Sequence, residues 1–120
     1  MVHLRPVPDP SRTPEPGAKP SPEELERYST VLRIHCVRML AVAKSGHLDS
    51  SLSAADIVTA LYYRVLRHDP KNPDWPERDR FVLCQGHAAP IQYAALAHHG
   101  YFPLRDLMGL TGTKFGCGMA

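Results

Sequence analysis

Phe81-Val82-Leu83-Cys84 is the one stretch of this chain that reads as a buried β-strand, and it constrains the fold more than any other feature. The run is short, wholly apolar and rich in β-type side chains, which suits a strand covered on both faces. A lone strand leaves its backbone N–H and C=O groups unpaired on both edges, which is costly inside a protein. Either further strands come from elsewhere, or the run is not a strand. The order strand, Gly86 turn, helix belongs to α/β architectures with parallel sheets. The expected fold class is therefore α/β. This chain would supply a mostly helical N-terminal part of a doubly wound parallel-sheet module, incomplete in itself.

The helices are marked by period and caps. Ser21-Pro22-Glu23-Glu24 is a helix start, with Ser21 as cap, Pro22 at the first helical position and Glu24 closing a capping box. Leu25, Tyr28, Leu32, Cys36, Met39 and Ala43 then recur at steps of three and four, so one helix face is buried. Gly46 is the expected terminator. A second start is read at Ser53-Ala54-Ala55-Asp56, with a stripe of Ile57, Ala60, Leu61 and Val65 and an end at Asp69-Pro70. Asp69 to Arg80, dense in proline and charge, reads as a surface loop from which Trp75 folds back. Ala88 to His99 reads as a third helix with Pro90 in its first turn and Gly100 closing it. A last short helix is expected from Pro103 to Gly109.

Seven of the 12 prolines lie between Pro6 and Pro22. Each fixes φ and removes a donor, so residues 1–20 are expected to form a disordered tail, with residues 21–120 as one partial domain. A chain of 120 residues is one domain in length. A net charge of +2 argues against a concentrated basic grip on nucleic acid. No run of 18 apolar residues occurs, so no membrane span is expected. Cys36, Cys84 and Cys117 are too few and too widely spaced for a disulfide framework. They read as free thiols of a reducing compartment, which together with the absence of a signal segment implies a cytoplasmic protein.

Chemistry is sought among seven histidines. His3 lies in the tail. His68, His98 and His99 lie at helix C-termini, where a partly charged imidazole meets the dipole favourably. His35 is mid-helix. His47 and His87 differ, because each follows a glycine at a junction between elements. The carboxyl end of a strand is where open α/β sheets bind ligands, and a helix N-terminus there attracts phosphate. A histidine so placed can donate to a phosphate oxygen or relay a proton. The competing reading is a loop histidine satisfied by backbone. Cys84-x-x-His87 has metal-like spacing, but no second pair matches it. No metal ligand set is assigned.

These residues resemble a family. Ala43-Lys44-Ser45-Gly46-His47 followed by Ser51-Leu52-Ser53-Ala54-Ala55-Asp56-Ile57 is similar to the first signature of transketolases. Asn72 to Leu83, Gly86-His87-Ala88-Ala89-Pro90, Tyr93-Ala94-Ala95-Leu96 and Gly100-Tyr101-Phe102 are similar to the second. The likeness covers residues 22 to about 108, and the Gly-His-Ala-Ala-Pro form is most like the N-terminal subunits of split transketolases. The resemblance implies thiamine diphosphate and Mg²⁺ as cofactors and transfer of two-carbon ketol units between sugar phosphates. It implies a catalytic role for His47 at the reacting centre, and cofactor contacts for His47, Gly86 and His87.

Two departures stand inside the motifs. Asp49 replaces a glycine and brings negative charge toward a diphosphate site, and Gln85 stands where Lys or Asn is usual. The family's Gly-Asp-Gly and its later Asn are absent, so the Mg²⁺ ligands are expected outside this chain. The resemblance then implies a truncated or split N-terminal portion, active only with a complementary transketolase subunit or a missing C-terminal portion, in an oligomer. The alternative is a catalytically inactive remnant or interaction subunit.

Overall fold

The structure, a computed structural model, describes residues 19–44 and 47–110. The expected tail at 1–20 lies almost wholly outside the described residues, as do Gly46 and the glycine-rich stretch beyond Leu110. Four helices are described: α1 (Pro22–Ala43), α2 (Leu48–Ala60), α3 (Ala89–His98) and the short α4 (Leu107–Leu110).

α1 starts as its sequence dictates. The Glu24 N–H donates to Ser21 Oγ at 3.3 Å, and Pro22 occupies the first turn. The second half of the capping box differs, since the Glu24 carboxylate takes the Ser21 hydroxyl at 3.4 Å. The end also differs from expectation. Lys44 takes the left-handed conformation at φ 55°, with its N–H donating to the Leu40 carbonyl. The helix thus closes before Gly46.

α2 begins at Leu48, five residues before the expected Ser53 cap. Ser53 lies inside the helix. Asp56 has a tertiary partner instead of a capping role, so the S-x-x-D pattern was a coincidence of composition. The α-helical part ends at Ala60 and continues as one π-helical turn, Leu61–Val65, closed by Leu66 N–H to Leu61 O at 2.8 Å. That widened turn ends the helix short of Asp69-Pro70.

The loop after it is more regular than a surface loop. Pro70, Pro73 and Pro76 each occupy the second position of a turn. The N–H groups of Asn72, Trp75 and Arg78 bond back to the carbonyls of Asp69, Asn72 and Trp75. Proline's fixed φ suits that position, so three turns follow one another. Its two ends are fastened together. Asp79 N–H meets Arg67 O at 2.8 Å, Arg67 N–H meets Asp79 Oδ2 at 2.8 Å, and the Arg67 guanidinium meets Asp79 Oδ1 at 3.1 Å. Trp75 is half-buried, as expected.

Among the described residues there is no strand. Phe81 and Leu83 pack against the helical core, whereas Val82 is 78% exposed and Cys84 is exposed. The run is therefore half-buried rather than buried, because only helices cover it and they cover one side. Its alternating exposure is that of an extended chain. The backbone groups of residues 81–84 make no backbone–backbone hydrogen bond among the described residues.

The core lies between α1, α2 and α3. Leu32 and Cys36 of α1, Ala55 and Val58 of α2, and Ile91, Ala94 and Ala95 of α3 meet there. α3 is central and is buried at Pro90, Ile91, Ala94, Ala95, Ala97 and His98. A helix apolar on most sides belongs inside, and its alanines let neighbouring backbones approach closely. Met39, Ala97 and Leu107 form a second cluster under α4. Arg33 of α1 ties α1 to α2, bonding Asp56 Oδ1 at 3.2 Å and the Leu52 carbonyl at 3.5 Å. Ser29 shares the same carboxylate at 2.6 Å.

Candidate functional site

His47 and His87, 40 positions apart in sequence, come together. Their rings are edge to face with centroids 4.3 Å apart. Each is placed by a helix start. His47 is the residue before α2, with extended φ −111° and ψ 114°. His87 lies in the 3₁₀ turn Gly86–Ala88, which runs directly into α3. Both side chains are exposed, and Gly86 is half-buried beside them.

Two helix N-termini thus open onto one spot. The first N–H groups of each helix have no partner within the helix. Among the described residues, no side chain of the N-cap positions His47, Gln85 and Ala88 caps α2, the 3₁₀ turn or α3. Uncapped N–H groups and the positive ends of two helices favour an anion, and phosphate suits such a place. Two imidazoles add donors or proton carriers at the same point. Asp49 lies in the first turn of α2, and its side chain is exposed.

The remaining sequence candidates separate from this pair. Cys36 is buried, and desolvation pushes its thiol up to about 12. It stays protonated and unreactive. Cys84 is exposed. Among the described residues no three of His, Cys, Asp or Glu group as metal ligands.

His68, His98 and His99, expected as dipole partners, have more specific work. His98 is fully buried and bonds Tyr63 Oη through Nδ1. His99 Nδ1 donates to the Ala95 carbonyl at 2.8 Å. Burial lowers its pKa to about 4, so the ring is neutral and not the partly charged group expected. His68 Nε2 lies 2.7 Å from the Tyr62 carbonyl and Nδ1 lies 2.7 Å from Tyr101 Oη. A carbonyl only accepts, so Nε2 carries the proton; in the neutral ring Nδ1 then accepts from the tyrosine. The partners are 33 residues apart in the His68–Tyr101 bond, and no local pattern announces it. The triple turn did leave a sign in the three-residue spacing of Pro70, Pro73 and Pro76.

Comparison with known proteins gives the family. Residues 25–111 match the family model described as transketolase, thiamine diphosphate binding domain. The chain is 42% identical over 92 residues to the 6-deoxy-6-sulfo-D-fructose transketolase subunit SqwG of Clostridium sp., a match covering 75% of this chain and 34% of that protein. It is 43% identical over 91 residues to the chromosomal transketolase of Cupriavidus necator, covering 72% of this chain and 14% of the relative. With the transketolase of Pongo abelii it shares 39% over 95 residues, 77% of this chain and 15% of the relative. The chain therefore spans about a third or less of the relatives it matches.

Proposed function

Because the chain belongs to the thiamine diphosphate-binding domain family of transketolases, we propose that it supplies the diphosphate-facing N-terminal part of an enzyme moving two-carbon ketol units between sugar phosphates. The observation that carries this reading is the meeting of His47 and His87 at two uncapped helix N-termini.

The residues present fit the anionic end of thiamine diphosphate. Gly86, His87 and the first N–H groups of α2 and α3 would hold the diphosphate, and His47 would orient a substrate hydroxyl or move its proton. When bound, the cofactor supplies the carbanion stabilisation that side chains lack. The Mg²⁺ ligands come from the remainder of the module. So do the strands that pair with the backbone of residues 81–84, making the run one strand of a doubly wound sheet. That remainder is a complementary subunit or a further part of the protein, in an oligomeric assembly. Free thiols at Cys36 and Cys84 support a cytoplasmic setting.

Asp49 in the first turn of α2 favours a second reading, an interaction subunit without turnover, since its charge opposes a diphosphate. Calorimetric titration of the chain with thiamine diphosphate and Mg²⁺, alone and with a complementary transketolase subunit, separates the two. Binding that requires the partner, and that His87→Ala abolishes, is expected. Binding in neither mixture would leave only the second reading.

A further inference from the structure

A cleft of about 250 Å³ lies at the end of α3 opposite the histidine pair. Leu96 and Tyr101 of its lining lie near and just past the C-terminal end of α3, whereas His87 precedes its start. Tyr62, Phe81 and Leu96 form part of its lining, with Arg78 and Arg80 on the loop side. We propose that this cleft binds a small organic anion, a phosphate or carboxylate on a flat apolar body, in a site separate from the histidine pair.

The argument rests on which polar groups of the lining are already used. Both His68 nitrogens are taken, by Tyr62 O and Tyr101 Oη. The Tyr62 hydroxyl accepts from Gln92 Nε2 at 3.1 Å. The Asp79 carboxylate is held in the fork of Arg67. Asp69, next in sequence to His68, accepts from the Lys71 N–H at 2.9 Å. The two arginines differ from all of these. Arg78 donates from Nη1 to the Trp75 carbonyl at 2.9 Å, and Arg80 reaches the Arg78 carbonyl at 3.4 Å. The ion pairs among the described residues are Arg33 with Asp56 and Arg67 with Asp79. Two guanidinium charges at the cleft thus have no carboxylate partner among the described residues. A guanidinium presents five donors in a fork matched to carboxylate and phosphate.

The body of the ligand follows from the rest of the wall. Phe81 meets Tyr62 edge to face at 5.8 Å, and Tyr101 stacks on His68 at 5.8 Å. Flat rings and Leu96 beside two cations suit an aromatic or similarly flat anion, in a volume near the lower end for small ligands. The wall is also preformed. The Arg67–Asp79 clasp and the three proline turns hold Arg78 and Arg80 before any ligand arrives, which lowers the ordering cost of binding.

The test titrates the full chain with phenyl phosphate, following amide and aromatic NMR shifts. Phenol supplies the body without the charge, and inorganic phosphate the charge without the body. Saturable binding of phenyl phosphate with shifts at Phe81 and Tyr101 is expected, with phenol and inorganic phosphate each binding more weakly. Arg80→Gln, an exposed change that should not disturb folding, is expected to weaken binding about tenfold. Arg78→Gln should do the same. Equal binding by phenol, unchanged affinity in both variants, or shifts centred on His47 and His87 would each overturn the proposal. So would the absence of saturation at millimolar phenyl phosphate.

Discussion

The two ends of α3 treat the same side chain in opposite ways. At the C-terminal end, His98 is buried against Tyr63, His99 caps a carbonyl, and His68 is fixed between two tyrosines. At the N-terminal end, His47 and His87 face each other in the open with no capping bond. Imidazoles bonded on their ring nitrogens are structural, and an exposed pair beside two uncapped helix starts is available for a ligand. Histidine content alone does not separate these roles. The partner at each ring nitrogen does.

The comparison predicts where stability resides. His98→Ala removes a fully buried ring and strips the Tyr63 hydroxyl of its partner. Lost packing and an orphaned hydroxyl together should cost about 3 kcal/mol. Urea unfolding followed by circular dichroism checks this, and a loss below about 1 kcal/mol would show that the histidine-rich end is no more structural than the other.

The second effect is on pH. His99 has a folded pKa of about 4, against 6.5 for the free side chain, with burial as the main cause. Between those values the unfolded chain binds a proton that the folded chain refuses. Stability is therefore full above pH 6.5 and falls as pH drops from 6.5 toward 4, by up to about 3 kcal/mol. His99→Gln should flatten that slope. If the slope persists in His99→Gln, a different group is responsible.

A smaller loss is expected across the α1–α2 contact. The Ser29 hydroxyl, and then the Arg33 guanidinium, hold the Asp56 carboxyl below its ordinary 3.8. Its contribution is present above pH 3.8 and is lost as pH falls through the lowered value, a window below that of His99. The carboxylate is 76% exposed, so water screens the pair. Asp56→Asn should cost about 0.5–1 kcal/mol. Parallel melts at pH 7 and pH 3 check it, and the difference from wild type should shrink at the lower pH.

The same contrast explains what could be read from sequence. α1 and α3 were readable because Ser21-Pro22, Pro90 and the spacing of Leu25, Leu32, Cys36 and Met39 encode start and face locally. The meeting of His47 and His87 was not legible, since nothing between residues 47 and 87 encodes it; the family likeness implied only a cofactor contact for each. The start of α2 has no local sequence signal, because His47 forms no side-chain cap. Ser53 and Asp56 imitate that signal, yet Asp56 serves Ser29 and Arg33, 27 and 23 residues away. The buried strand was half right. Phe81 and Leu83 do pack on the core, but Val82 is exposed and the run is no strand among the described residues, because burial on both faces needs neighbours that they do not include.

The smallest stability effect is expected at the place with the largest functional one. His87 is exposed, and its ring contact is with another exposed ring. His87→Ala should shift unfolding by less than about 0.5 kcal/mol, the usual range for surface positions. Paired with loss of thiamine diphosphate binding in the mixture with a complementary subunit, that near-silence would mark the histidine as held for a ligand. A loss of 2 kcal/mol or more would mean that His87 braces the start of α3, and the difference between the two ends of the helix would disappear. The melt of this one variant, beside that of His98→Ala, therefore measures the contrast directly.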